Sequence, residues 1–150
     1  WPEGCWALAA DLLWDGESDQ AIENLCVVIL GESVFRVCDV QYALRRQVPL
    51  EAFPGCCLMP GLIDAHVHME FSEEYPLHGQ PVLSDEALGS AMEARALRML
   101  RRGITAARDL GGSASFASLR LRDRIERGEV PGPRLVCAGQ PLTVPGGHCH

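Results

Sequence analysis

The chain has 150 residues, of which 47% are hydrophobic and 22% are charged, a composition typical of a globular protein. Its formal net charge of −7 at pH 7 argues against a nucleic-acid partner or an anionic membrane surface. The seven cysteines include no Cys-x-x-Cys pair, which fits buried thiols in a reducing compartment better than a disulfide framework or a zinc ribbon. Because this cysteine pattern fits a reducing environment, we expect a cytoplasmic protein. No apolar run approaches the roughly 20 residues of a membrane span.

Residues 1–59 are predicted to form a small unit made of β-strands. The segments 6–13 and 25–30 are apolar, and the second is followed by Gly31 and by the alternating segment 34–38. Two strands separated by a short turn of this kind indicate a β-hairpin. This part of the sequence contains no cluster of residues with an evident catalytic role.

Residues 60–68 contain two closely spaced histidines. They read Pro-Gly-Leu-Ile-Asp-Ala-His-Val-His, a pattern that predicts a turn followed by a strand. Because successive side chains of a strand point to opposite faces, Asp64, His66 and His68 are expected on one face. The two histidines then lie roughly 7 Å apart at Cα and can direct their rings to one divalent ion. The alternative is that one or both are ordinary core histidines.

The next segment, 69–82, lacks periodicity and predicts a long loop, in which His78 is either an exposed histidine or part of a functional lid. A helix is then predicted after the N-cap Ser84, with Gly103 just beyond its end. Its apolar residues recur at three- and four-residue steps and form one buried stripe, which comprises Leu88, Met92, Ala96 and Met99.

A second helix is predicted over 114–127, between strands over 104–110 and 134–138. Its inward residues are expected to be Phe116, Leu119 and Ile125. The alternation of strands and helices predicts βαβ units around a parallel sheet, and the fold class is therefore α/β.

Further candidate site residues follow the predicted strands. Asp109 lies near the end of the strand over 104–110 and is expected either to orient a ligand or line the site, or to cap the following turn. After the third strand, residues 145–150 read Pro-Gly-Gly-His-Cys-His. His148 and His150 in this segment either reach a ligand or metal or face solvent.

Four stretches together carry a family resemblance. Residues 58–68, Leu-Met-Pro-Gly-Leu-Ile-Asp-Ala-His-Val-His, resemble the first barrel strand of the amidohydrolase superfamily. Residues 103–112, 131–134 and 146–148 then resemble, in order along the chain, its imidazolonepropionase-like and prolidase-like branch.

This resemblance implies that residues 1–59 belong to a small β-sandwich and that residues 60–150 form the first three βα units of a (β/α)8 TIM-type barrel. Because a complete barrel takes about 250 residues, the chain is expected to be the N-terminal part of an enzyme, inactive and poorly soluble by itself. The bridging carboxylated lysine, the further metal histidines and the Asp that shuttles protons are expected beyond residue 150, and this sequence contains no Lys.

The function implied by the resemblance is that of a metal-dependent hydrolase of C–N bonds in amides, peptides or cyclic amides. Such enzymes use one or two divalent ions, usually zinc, to activate water, and His66 and His68 would bind the metal. The substrate would be a small molecule or dipeptide-like compound, with His148 contacting its carboxylate. Cys149 departs from the family pattern, since relatives commonly have Gly at that place.

Two hypotheses from other classes stay open. One is a non-catalytic zinc-binding or regulatory domain, whose ligands would be His66, His68, His148 and His150. The other is a redox sensor that uses Cys56 and Cys57, which is less favoured because vicinal thiols form strained disulfides and no basic residue is near in sequence.

Overall fold

A computed structural model describes residues 1–72, 74–75, 79–112 and 116–147 of the chain. The chain divides into two compact units, Trp1–Pro60 and Gly61–His150. Strands and helices both contribute, so the α/β class expected from the sequence is confirmed, whereas a closed barrel and a β-sandwich stay predictions. Within the described ranges, no helix is long and apolar enough to cross a membrane.

The first unit contains a five-stranded sheet. Its elements are β1 (Trp6–Leu13), β2 (Ile22–Glu23), β3 (Leu25–Leu30), β4 (Ser33–Asp39), α1 (Val40–Arg45) and β5 (Leu50–Leu58). β1 pairs antiparallel with β2 and β3 and parallel with β5, and β3 pairs antiparallel with β4. The hairpin predicted over 25–30 and 34–38 is therefore confirmed.

Three elements of this unit, β2, α1 and β5, were not expected from the sequence. β5 contains Pro54 and Gly55, which favour a turn over a strand. The pairing of β1 with β5 shifts between Ala10 and Leu12, and the backbone N of Gly55 donates to Oδ2 of Asp11 at 2.8 Å. A side chain thus replaces part of the regular ladder, and pairing with β1 overrides the local turn preference.

The second unit contains a three-stranded parallel sheet with a helix in each crossover. Its elements are β6 (Leu62–Val67), α2 (Asp85–Arg101), β7 (Ile104–Asp109), α3 (Ala117–Glu126) and β8 (Arg134–Cys137). The sheet order is β6-β7-β8, with both pairs parallel. The βαβ arrangement predicted from the alternation of elements is therefore confirmed.

Helix α2 matches its prediction closely. Oγ of Ser84 accepts a hydrogen bond from the backbone N of Ala87 at 3.3 Å, so Ser84 is the N-cap. Met92 and Ala96 are fully buried, as expected from the stripe. They belong to an apolar core that comprises Met69, Met92, Ala96, Ala107, Ala117, Leu121, Val130 and Leu135.

Helix α3 begins later than predicted. Phe116 has a left-handed φ of 53° and is 45% exposed, so the expectation that it faces inward is wrong. The left-handed backbone places Phe116 before the helix rather than on it, and Ala117 and Leu121 are buried in its place. Ile125 packs against the core as expected, and residues 113–115 lie outside the described part of the chain.

Candidate metal centre

The three strands of the second unit end side by side. In the register of the sheet, Val67 lies opposite Asp109, and Asp109 lies opposite Cys137. His68 is the first residue after β6, so the structure places His66, His68 and Asp109 at this edge. Ligands of parallel α/β sheets bind at the carboxyl ends of the strands, and the edge is therefore the place where a site is expected.

Glycine allows β6 to start directly against β7. The backbone N of Leu62 donates to the carbonyl oxygen of Gly103 at 2.8 Å. A Cβ at Gly61 would lie 2.0 Å from Oγ1 of Thr105, so no larger residue fits there without movement. The Pro-Gly turn that precedes the two histidines thus sets where their strand enters the sheet.

The strand that carries the histidines is interrupted by a bulge. Between Asp64 and Val67, β6 contains one residue more than the matching interval of β7. Nε of Arg108 donates to the carbonyl oxygen of Ala65 inside this interval, at 2.8 Å. Because a bulge re-aims side chains, the strict alternation expected over residues 64–68 does not hold.

Despite the bulge, the rings of His66 and His68 remain neighbours. Their centroids are 5.4 Å apart, and the ring planes meet at 67°. Two imidazoles bonded to one tetrahedral zinc ion at roughly 2.0–2.1 Å have centroids about 5 Å apart. His66 is exposed and His68 half-buried, so the pair is open on the side of His66. The spacing of these two rings fits a shared divalent ion.

The ring of His68 is held by two neighbours. Its Nδ1 lies 2.6 Å from the carbonyl oxygen of Gly111, and its plane stacks on Phe71 at a centroid distance of 5.3 Å. A carbonyl oxygen can only accept, so Nδ1 carries the proton and donates. With Nδ1 occupied in this way, Nε2 is the nitrogen that is left for a metal, the arrangement that outer-shell hydrogen bonds give to ligating histidines.

Asp109 is completely buried and connects the ends of β6 and β7. Its Oδ1 accepts a hydrogen bond from the backbone N of Gly111 at 2.6 Å, and its Oδ2 accepts one from the backbone N of Met69 at 3.4 Å. The first contact caps the turn after β7, which was one of the two roles expected. The second contact reaches the residue that follows His68, and the sequence did not reveal it.

Two further charged residues of this region were missed as site residues. Nη1 of Arg95 on α2 donates to the carbonyl oxygen of Met69, and Glu70 is only 9% exposed. A Cβ at Gly112 would lie 2.6 Å from Cδ of Glu70, so this glycine leaves room for the carboxylate. The one available signal was the position of Arg95 at the margin of an otherwise apolar helix face.

Cys137 lies opposite Asp109 but is a poor metal ligand. Burial raises the pKa of its thiol to about 11, and the charge of Asp109 adds to this effect. Its Sγ donates to the carbonyl oxygen of Ser118 at 3.5 Å. Because metals bind the thiolate, a thiol that stays protonated at neutral pH serves here as part of the core.

The remaining candidates do not complete a ligand set within the described ranges. Asp64 is half-buried, and its Oδ1 accepts a hydrogen bond from the backbone N of His66 at 3.2 Å. His78, His148 and His150 lie outside the described residues. Among the residues that the structure describes, no group of three or more His, Cys, Asp or Glu side chains is placed to hold an ion.

Residues 57–149 match the family described as the Amidohydrolase family. No curated protein sequence matches the chain.

Three solved structures illustrate the likeness in fold. A Xaa-Pro dipeptidase with methionine bound in its active site has 25% identity and a TM-score of 0.73 over 97% of this chain. A prolidase complexed with N-methylphosphonate-L-proline has 28% identity and a TM-score of 0.71 over 96% of this chain. Ochratoxinase from A. niger, at 22% identity, has a TM-score of 0.71 over 89% of this chain, which is a likeness of fold alone. The chain spans only 36%, 34% and 31% of these three proteins, respectively.

Proposed function

Because the chain belongs to the amidohydrolase family, we propose that it supplies the first metal ligands of a hydrolase that cleaves amide or peptide C–N bonds with water. The observation that carries this proposal is the pair His66 and His68, whose ring centroids lie 5.4 Å apart at the carboxyl edge of a parallel sheet. The reaction consumes one water and releases a carboxylic acid and an amine.

His66 and His68 would hold a divalent ion, which we propose to be zinc. The donor set fits such an ion, because the Gly111 carbonyl keeps the proton of His68 on Nδ1. When bound, a divalent ion lowers the pKa of water to about 7 and polarises the scissile carbonyl. Imidazole nitrogens are ordinary zinc ligands, and the further ligands are proposed to lie elsewhere in the protein.

The residues around His68 have two tasks in this proposal. Gly111 orients the imidazole, and Phe71 covers one face of the ring and keeps water from it. His66 is exposed and lies on the open side of the pair, where a substrate can approach. The protein thus presents one fixed ligand and one accessible ligand at the same edge.

The substrate class is proposed from the structural neighbours. One neighbour holds methionine in its active site and another holds N-methylphosphonate-L-proline, an analogue that contains a proline. We therefore propose a dipeptide-like substrate, and His148 as the residue that contacts its carboxylate.

Zinc titration of the product of the whole reading frame, prepared without a polyhistidine tag, tests the metal site, because the further ligands are proposed to lie elsewhere in the protein. We expect His66→Ala and His68→Ala each to weaken binding by more than about 100-fold, since even outer-shell changes cost about 10–100-fold. His78→Ala is the matched control and should leave the affinity unchanged. Equal affinities for all four proteins would contradict the proposal, and an equal loss with His148→Ala would favour the four-histidine zinc domain instead.

Hydrolysis is tested on the product of the whole reading frame. Release of proline or another amino acid from Xaa-Pro and other dipeptides is measured with and without a chelator. We expect activity to disappear in the chelator and in His66→Ala, to return with zinc only in the unaltered protein, and to persist in His78→Ala. Activity that survives His66→Ala would refute the assigned role.

A further inference from the structure

Asp109 is the only fully buried carboxylate among the described residues. A carboxylate without water is tolerated only where hydrogen bonds replace its hydration. Here Oδ1 accepts from the backbone N of Gly111 and Oδ2 from the backbone N of Met69. The turn after β7 and the chain after β6 are therefore tied to the same side chain.

The two residues that donate to Asp109, Gly111 and Met69, are both direct neighbours of His68. Gly111 supplies the carbonyl oxygen that accepts from Nδ1 of His68 at 2.6 Å. Met69 follows His68 in the chain, and its own carbonyl oxygen accepts from Nη1 of Arg95. The backbone next to His68 and the turn that carries the acceptor of its ring are thus both held by hydrogen bonds to the side chains of Asp109 and Arg95.

The turn that carries the acceptor has little freedom to move. Gly111 has a φ of +103°, and a Cβ there would lie 2.4 Å from the carbonyl oxygen of Gly139. The next residue, Gly112, donates its backbone N to that same oxygen at 3.2 Å. Asp109 and Gly139 therefore hold the turn from two sides.

We propose that Asp109 is a positioning residue of the metal centre, which acts through Gly111 and Met69 to make His68 present Nε2 to a divalent ion. This inference rests on the proposed function, because a defined tautomer matters only where the imidazole binds metal. Asp109 itself neither binds the ion nor touches the reacting atoms.

The tautomer of His68 is measured first, by ¹⁵N NMR of the metal-free product of the whole reading frame at about pH 9, where a free imidazole is neutral. We expect the proton on Nδ1 in the unaltered chain. In Asp109→Asn the side chain offers one acceptor and one donor, so only one of the two backbone N–H groups keeps its partner. This variant is expected to show a mixture of tautomers.

Zinc affinity is measured next on the same proteins. Asp109→Asn should bind zinc about 10–100-fold more weakly, the usual effect of losing an outer-shell partner. Asp85→Asn is the matched control, because Asp85 lies in the first turn of α2 with its side chain 85% exposed. It should leave both the tautomer and the affinity unchanged.

The outcomes separate this inference from the proposed function. A proton on Nε2 of His68 in the unaltered chain, or an Asp109→Asn chain with unchanged tautomer and affinity, would overturn the positioning role. Absence of zinc binding with the proton on Nδ1 would instead refute the proposed metal site. Should Asp109→Asn fail to fold, Gly111→Ala displaces the same carbonyl while keeping Asp109, and it must then shift the tautomer.

Discussion

The interiors of the two units differ in what they bury. The core of the N-terminal unit contains only apolar side chains and thiols, namely Cys5, Ala7, Ala9, Cys26, Val28, Ala43 and Val48. In the described part of the C-terminal unit, besides an apolar core of similar size, three polar residues are buried, namely Glu70, Asp109 and Ser118. Burial of polar groups costs free energy unless they are hydrogen-bonded, so their presence in one unit points to a task other than stability.

The thiols of the N-terminal unit show the contrast most clearly. Sγ of Cys26 lies 3.9 Å from Sγ of Cys38, directly across the β3–β4 pair. Burial raises the pKa of Cys26 to about 12, and the neighbouring Cys38 and Asp39 add to the rise. Cys26 is thus a small apolar side chain in practice, whereas Asp109 keeps two specific hydrogen bonds in its buried place.

The largest effect is expected from the apolar core of the C-terminal unit. Met92 is fully buried, and Met92→Ala should lower the free energy of unfolding by about 2–5 kcal/mol through lost burial and a remaining cavity. Urea denaturation measures the change. Met59→Ala, at a site 42% exposed, is the control and should stay within about 0.5 kcal/mol. Equal effects of the two variants would show that the described core does not support the fold.

A smaller effect is expected from two glycines of the C-terminal unit. Gly111→Ala should destabilise the chain by about 1–3 kcal/mol, because the left-handed φ and the nearby Gly139 oxygen both oppose a Cβ. Gly89→Ala in helix α2 meets nothing within 4 Å and should stabilise it by about 0.5–1 kcal/mol. The midpoint temperature of thermal unfolding should therefore fall in Gly111→Ala and rise in Gly89→Ala. A change in the same direction in both variants would contradict the strain assigned to the turn.

The pH dependence of stability should reveal the buried thiol of the N-terminal unit. Burial raises the pKa of Cys26 from 9.0 to about 12, so the unfolded chain loses this proton at lower pH than the folded chain. The unfolded state then binds fewer protons, and stability falls as pH rises from about 9 towards 12. Cys26→Ala should flatten this slope in urea titrations, whereas Cys56→Ala, at an exposed site, should leave it unchanged. Identical slopes in all three proteins would refute the assignment.

The smallest effect is expected from a solvent-exposed ion pair of the C-terminal unit. Arg124 on α3 forms an ion pair with Glu93 on α2, and these side chains are 40% and 32% exposed, respectively. A double-mutant cycle with Arg124→Gln and Glu93→Gln should give a coupling of only about 0.2–1 kcal/mol, which salt screens further. A coupling of several kcal/mol would mean that exposed polar pairs, rather than the buried ones, distinguish this unit.

Much of the second unit could be predicted because its signals are local. The cap at Ser84 and the apolar stripe of α2 depend on residues within a few positions of one another. The parallel βαβ order follows from the alternation of such elements. By contrast, β5 depends on pairing with β1, which is distant in sequence, against the turn preference of Pro54-Gly55. Phe116 adopts a left-handed φ against the helical pattern around residue 116.

The candidate site likewise combines features that follow from adjacent residues with features that depend on contacts between distant ones. The sequence by itself determined that two histidines follow a Pro-Gly turn at the end of a strand, since spacing and turn chemistry are properties of adjacent residues. Only the tertiary structure decided that β6 bulges at the motif and that Nδ1 of His68 lies against the carbonyl oxygen of Gly111. It also decided that Asp109 reaches Met69, 40 residues away in the chain, because such contacts arise when separate strands meet at one edge.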